Sequence, residues 1–187
     1  DRVAVGGAEC AFHAEMVAVP EMLTAKIPEG VENWQAAYAT MISISMQGIR
    51  QGNLTLGDRV MVFGQGLVGL LCTALAKAAG ARVMAIDLDS SRLEVAKQMG
   101  AEITYNPKDG ADIQDVVREW TNGYGADASF ICTAGSNVPC DQTCDALRDR
   151  GTMVIVGITD PTLDWKRYYY ISKLYRHCIA DLLLLEV

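Results

Sequence analysis

The stretch from Arg59 to Asp87 constrains the fold more than any other part of this chain. It reads Arg-Val-Met-Val-Phe-Gly-Gln-Gly-Leu-Val-Gly, then an apolar segment, then Ala81-Arg-Val-Met-Ala-Ile-Asp87. Val60 to Phe63 is a short unbroken apolar run, the pattern of a strand buried on both faces of a parallel sheet. Gly64, Gly66 and Gly69 follow at G-x-G-x-x-G spacing. In a strand-to-helix turn of this kind Gly64 makes the tight turn, Gly66 admits a pyrophosphate against the backbone, and Gly69 lets the helix close on the strand. The phosphates would meet free amides and the positive end of the helix dipole. From Leu67 to Ala79 the one charged residue is Lys77, so a buried helix is predicted, with Gly80 ending it in a left-handed conformation.

A second predicted strand, Arg82 to Ile86, ends in Asp87, 18 residues beyond Gly69. An acid at that point accepts hydrogen bonds from the adenosine ribose hydroxyls and repels the additional phosphate of NADP. Leu88 and Asp89 follow without a basic residue, which favours NAD. Glycines alone also serve ordinary strand-to-helix turns; the ordered set of strand, glycines, helix, strand and terminal acid is what points to a dinucleotide. A methyltransferase of related fold would carry an acid just before the first glycine, where Val62 and Phe63 stand. A flavin domain would open with its glycines, whereas here a long segment precedes them.

Composition bounds the remaining choices. The chain has 187 residues, 50% of them hydrophobic, enough to bury one good core and part of another. A net charge of -7 argues against nucleic acid or an anionic membrane surface as partner. No apolar run approaches the ~20 residues of a membrane-spanning helix. Position 1 is Asp and no secretory signal is present, so a piece of a longer chain is expected. Six cysteines raise disulfides or metal. Cys72 and Cys132, however, fall inside a predicted core helix and core strand, where free Cys acts as a small hydrophobe. Cys140 and Cys144, four apart, share a helix face, and two ligands do not make a zinc site. No metal site is expected, and a reducing cytoplasm is the simplest setting.

Taken in order, residues 1–9 lack periodicity and read as loop. Cys10 to Pro20 alternates as a strand would, with Phe12, Ala14, Met16 and Ala18 on one face. Cys10, His13 and Glu15 do not form a metal trio on such a strand, because Cys10 and His13 project to opposite faces. A long helix is predicted from Trp34 toward Gln51, thinned by Gly48 and ended by Gly52. Beyond Asp87 strands and helices alternate, the signature of βαβ units. Ser91 to Glu94 resembles a capping box opening a helix that runs to Met99. Further predictions are a strand over 102–105, a helix over 112–120, a strand from Asp127 to Thr133, a helix from Val138 to Leu147 and a strand from Met153 to Ile158. Ala134, Gly135 and Ser136, with Val156 to Ile158, lie at the carboxyl ends of strands, the edge where ligands bind in open parallel sheets.

Several segments together resemble the cofactor-binding half of the medium-chain dehydrogenase/reductase superfamily, which includes zinc-containing alcohol and polyol dehydrogenases. They are His13 to Pro20, Gln47 to Arg50, Leu56 to Val60, Gly64 to Gly69, Ile86 to Asp89, Arg92 to Lys97 and Gly100-Ala101. The resemblance implies a Rossmann domain, a doubly wound parallel α/β sheet with helices on both faces, over residues 32–187. Residues 1–31 would be a C-terminal remnant of a GroES-like β domain and its connector. It also implies hydride transfer between a nicotinamide and a small alcohol, polyol or sugar. By motif position Gly64, Gln65, Gly66, Leu67 and Val68 would surround the pyrophosphate. Asp87 and Leu88 would meet the adenosine ribose, and Arg92 would lie over adenine. Thr133, Ala134, Val156 and Ile158 would line the nicotinamide side. Zinc-using members carry an acid or cysteine where this chain has Ala39 to Ser45, and Thr40 and Ser43 are poor zinc ligands. No catalytic residue is assigned: the two histidines, His13 and His177, sit in no acid-base pattern. A nucleotide-binding module without chemistry of its own is the alternative reading. Association through an edge strand implies a possible homodimer. Past Asp160 the match fades; Tyr168 to Lys173 resemble the approach to a sixth strand, and the leucines near the C-terminus suggest a terminal strand or helix.

Overall fold

The computed structural model describes residues 1–7, 10–158 and 174–177, the last four by backbone alone. Two short strands open the chain, β1 (Val3–Val5) and β2 (Thr24–Lys26), paired antiparallel as a sheet of their own. Helices α1 (Asn33–Ala36) and α2 (Ala39–Gly52) follow. The main body then alternates β3 (Arg59–Phe63), α3 (Leu67–Ala78), β4 (Arg82–Ile86), α4 (Ser90–Gln98), β5 (Ile103–Tyr105), α5 (Ile113–Trp120), β6 (Ala126–Ile131), α6 (Val138–Ala146), β7 (Leu147–Ile155) and β8 (Leu174–His177). Six strands form one sheet in the order β5-β4-β3-β6-β7-β8, and every neighbouring pair is parallel. This is the doubly wound Rossmann arrangement, whose strand order reverses between β3 and β6.

Strand alternation divides the core in two. Val60, Val62, Val83, Phe130 and Val154 point to one face, against Ile44 of α2 and Cys72 and Ala76 of α3. Met61, Phe63, Met84, Ile131 and Met153 point to the other, against Ile113 and Val117 of α5 and Cys140 and Cys144 of α6. Because both faces are covered, the strands read as continuous apolar runs rather than alternating ones.

The sequence reading needs five corrections. Residues 10–20 form turns and bends rather than a strand, and Phe12 and Met16 stand exposed. Alternation without a partner edge does not make a strand, and the edge of β2 is taken by β1, which lies in the stretch expected to be loop. The long helix is broken at 37–38. Gly48 and Gly52 do not thin and stop it; a Cβ on Gly48 would lie 2.9 Å from Val156 and one on Gly52 2.6 Å from Phe130, so both let α2 press onto the sheet. Asn53, left-handed at φ 49°, caps that helix instead. Helix α4 begins ahead of the expected capping box: Asp89 accepts the Ser91 amide at 2.9 Å, while Glu94 pairs with Lys97. Strand β7 starts at Leu147 and ends at Ile155, and β6 ends at Ile131, which leaves Cys132, Thr133 and 156–158 beyond the strand ends. The sixth strand exists as β8, but the terminal segment 178–187 and the approach 168–173 lie outside the described residues.

At the β4/β5 edge, Arg82 donates Nε–H to Glu102 Oε2 at 2.8 Å, and Trp120 donates its indole N–H to Oε1 at 3.2 Å. The hydrogen bond from Arg82 outweighs burial and holds the Glu102 carboxyl down to about 2. A depressed carboxyl stabilises the fold above its ordinary value of 4.5 and loses that contribution as pH falls toward about 2. With the Glu102 side chain 35% exposed, solvent screening reduces the effect to about 1 kcal/mol. Urea denaturation of Glu102→Gln is expected to show about that loss at pH 7, shrinking as both proteins are taken through the window between 4.5 and 2. A second expectation concerns packing. A Cβ on Gly69 would stand 1.7 Å from the Gly64 carbonyl oxygen, a backbone atom that cannot yield, so Gly69→Ala should cost about 3 kcal/mol or more in the same assay.

Candidate functional site: a cleft at the sheet's switch point

The carboxyl ends of β3, β4 and β6 open onto a cleft of about 590 Å³. Its floor includes Phe63, Gly64, Gly66, Cys132 and Thr133, and its adenosine end would hold Asp87, Asp89, Arg92 and Lys108.

The three glycines of the turn differ physically. Gly64 adopts φ +84°, and a Cβ there would meet Thr133 at 2.8 Å; both conformation and contact demand glycine. Gly69 is required by helix packing, as above. Gly66 has φ -74° and ψ -167°, open to any residue, and a Cβ on it would have nothing within 4 Å. Nothing within the described chain explains a glycine there. The space suits a ligand that lies against the backbone. Beside it α3 begins without a side-chain cap, in contrast to α4 and α5, where Asp89 and Asp112 fill that place. Its first-turn amides and the helix dipole therefore present an anion-accepting end.

Asp87 is held rigidly. Its Oδ2 accepts the Gln65 amide at 2.6 Å and its Oδ1 the Asp89 amide at 2.9 Å, which fixes the carboxylate with its side chain 8% exposed. Each oxygen retains a lone pair for a ribose hydroxyl. Arg92 bridges the acids, 3.7 Å from Asp87 and 3.9 Å from Asp89. Hydrogen bonds from Ser91 lower the Asp89 carboxyl below its ordinary range, and Lys108 donates to the Leu88 carbonyl at 3.0 Å.

Of the residues singled out from sequence, Gly64, Gly66, Asp87, Leu88, Arg92, Thr133 and Ala134 line the cleft. Gln65 does not. Its side chain is fully buried, donating to the Val62 carbonyl at 2.9 Å and accepting from the Thr73 hydroxyl at 3.0 Å, so it pins the turn to α3. Leu67 is half exposed and Val68 packs on the α2 and α3 face; only their backbone amides belong to the anion-accepting end. Val156 is buried against Gly48, and Ile158 is 81% exposed. Neither lines the cleft; Val156 instead packs into the core on the α2 and α3 face. Ser136, placed from sequence at the ligand-binding edge, lines the cleft as well, whereas sequence reading missed Pro107 and Lys108, from the loop after β5, and Val138, Pro139 and Gln142 at the start of α6. The rule that loops after strand carboxyl ends line the crevice would have found them once β5 and β6 were placed.

Two observations test whether a dinucleotide fits: the open space at Gly66, and the Thr133 hydroxyl, which is buried with no hydrogen-bond partner among the described residues. Both fit a ligand that supplies phosphate at one point and a polar group at the other. Zinc is a different matter. Among the described residues no three of His, Cys, Asp and Glu converge, and the Ser43 hydroxyl is engaged with the Ala39 carbonyl at 2.9 Å, so these residues do not by themselves furnish a zinc site.

Fold and cleft together define a nicotinamide-dinucleotide-binding domain of the Rossmann type. Residues 68–177 match the zinc-binding dehydrogenase family, and the chain belongs to it. An alcohol dehydrogenase of Cupriavidus necator is 36% identical over 149 residues, 78% of this chain and 40% of that protein. A probable D-xylulose reductase A of Emericella nidulans is 35% identical, over 78% of this chain and 41% of its own length. A mycobacterial protein solved in complex with NADPH superposes with a TM-score of 0.76 at 27% identity, covering 88% of this chain and 52% of that one. The chain thus spans about two fifths of the length of these curated relatives.

The contrast among the glycines generates a direct test. Gly66→Ala should leave urea stability within about 0.5 kcal/mol of the parent while lowering NADH affinity at least ~10-fold in a fluorescence titration.

Proposed function

We propose that this chain is the NAD-binding part of an oxidoreductase acting on a small alcohol, polyol or sugar. The carrying observation is the pairing of room at Gly66 with a carboxylate at Asp87 fixed by two amides. When bound, the dinucleotide accepts or delivers hydride at its nicotinamide ring, and the chain's own work is to bind, orient and exclude water. The α3 amides take the pyrophosphate, Asp87 the ribose hydroxyls, and the Thr133 hydroxyl a polar group toward the nicotinamide. NAD is favoured over NADP because Asp87 and Asp89 would face a 2′-phosphate, while Arg92 is engaged by both acids. The alcohol dehydrogenase and the probable xylulose reductase among its relatives support the substrate class. Residues 1–31 fit the end of a second, β-rich domain, since β1 and β2 form a sheet separate from the main one; the substrate-contacting groups of the whole protein would lie there, and self-association through an edge strand completes the reading.

Parallel titrations with NADH and NADPH test it. NADH is expected to bind at least ~10-fold more tightly, a difference of about 1.4 kcal/mol, and Asp87→Asn should erase that preference. Equal or tighter NADPH binding by the parent chain would overturn the ribose assignment of Asp87.

A further inference from the structure

Cys132 and Cys72 bring their sulfurs to 3.7 Å across the junction of β6 and α3. The two residues differ in exposure. Cys132 packs on the α2 and α3 face but is partly exposed and lines the cleft beside Gly64 and Thr133; Cys72 lies fully buried on the inner face of α3. Closing 3.7 Å to a disulfide's ~2.05 Å requires an approach of roughly 1.7 Å, the scale of a torsional adjustment in two side chains. No side chain intervenes from the nearest turn of α3, because position 69 is glycine, whose Cβ would sit 3.5 Å from that of Cys132. The backbone around Cys132 is anchored, its amide donating to the Phe63 carbonyl at 2.8 Å, so the sulfur can move while the strand end stays in place.

From this geometry we infer that Cys132 and Cys72 form a peroxide-oxidisable dithiol in the floor of the cleft, with Cys132 as the attacking thiol and Cys72 as the resolving one. The Cys132 sulfur, as thiolate, attacks one peroxide oxygen; an S–O bond forms, the O–O bond breaks, and the departing hydroxide takes up the proton the thiol released and leaves as water. The Cys72 sulfur then attacks that of Cys132; the S–S bond forms, the S–O bond breaks, and a second water leaves. Two thiols thus lose two protons and two electrons, and one hydrogen peroxide becomes two waters. A small-molecule dithiol reverses the reaction. The disulfide would staple the segment after β6 to α3, the helix that starts at Leu67, at the distance the glycine contact already sets. Cys140 offers no rival: it is buried within α6, and desolvation pushes its thiol up to about 11, away from the thiolate that reacts. That occupancy of the cleft shields Cys132 rests on the dinucleotide reading above; the dithiol itself does not.

The test treats the 187-residue chain with hydrogen peroxide and maps its peptides by mass spectrometry. A mass loss of about 2 Da, a linked peptide pair joining Cys72 to Cys132 and reversal by dithiothreitol are expected. In Cys72→Ala the resolving thiol is gone, so dimedone should trap a sulfenic acid at Cys132. With NADH at ten times its Kd, oxidation of the parent chain should slow about tenfold. Direct overoxidation of Cys132 to the sulfinic acid with Cys72 in place, or linkage through other cysteines, would overturn the proposal. Bound NADH that leaves the oxidation rate unchanged would overturn the shielding. If fluorescence shows no NADH binding while the Cys72–Cys132 disulfide still forms, the dinucleotide reading fails and the dithiol stands.

Discussion

The contact of Gly69 with the carbonyl of Gly64 sets the position of everything around the cleft. A Cβ at Gly69 would penetrate that oxygen, so α3 lies against the end of β3 at a distance that glycine alone permits. From that distance follow the placement of the uncapped α3 amides beside Gly66, the fit of the Thr73 hydroxyl to Gln65, and the approach of Cys72 to Cys132. Packing of this density transmits small changes, since interiors have few voids to absorb them.

The second organising interaction is electrostatic. Asp87 directly follows β4, yet its carboxylate is built into the glycine turn through the Gln65 amide and into the start of α4 through the Asp89 amide. One side chain thereby joins the glycine turn to the start of α4 and keeps its own geometry fixed before any ligand arrives. Preorganisation of this kind spares the ordering cost at binding. Asp87 and Asp89 also bind Arg92, so a cleft with basic groups in it still presents carboxylate oxygens to its interior.

Much of this was legible in the chain because buried parallel strands are read from local composition. Strand β4 and the start of α3 fall where the apolar runs and glycines put them, and Gly80 ends its helix with φ +88° as expected. The segment over 10–20 failed for a physical reason: alternation reports a face, whereas a strand needs a neighbour with free amides and carbonyls. Gly48 and Gly52 looked like helix breakers, but they are the two places where α2 meets Val156 and Phe130, residues far away in sequence.

The sequence by itself determined the fold class and the glycine turn and terminal acid that line the cleft, because the strand, glycines, helix, strand and acid that mark them lie within about thirty positions of one another. Only the tertiary structure decided which of those residues face the cleft. Gln65 and Val156 share the motif or the strand edge but turn inward, onto Thr73 and toward Gly48, while Ile158 stands exposed. Lys108 enters the cleft from the loop after β5 and Pro139 and Gln142 from the first turns of α6, none of which the motif touches, and Cys72 reaches Cys132 across 60 positions of chain. Side-chain direction at a strand end, and proximity across a sheet, are set by long-range packing, which local pattern does not encode.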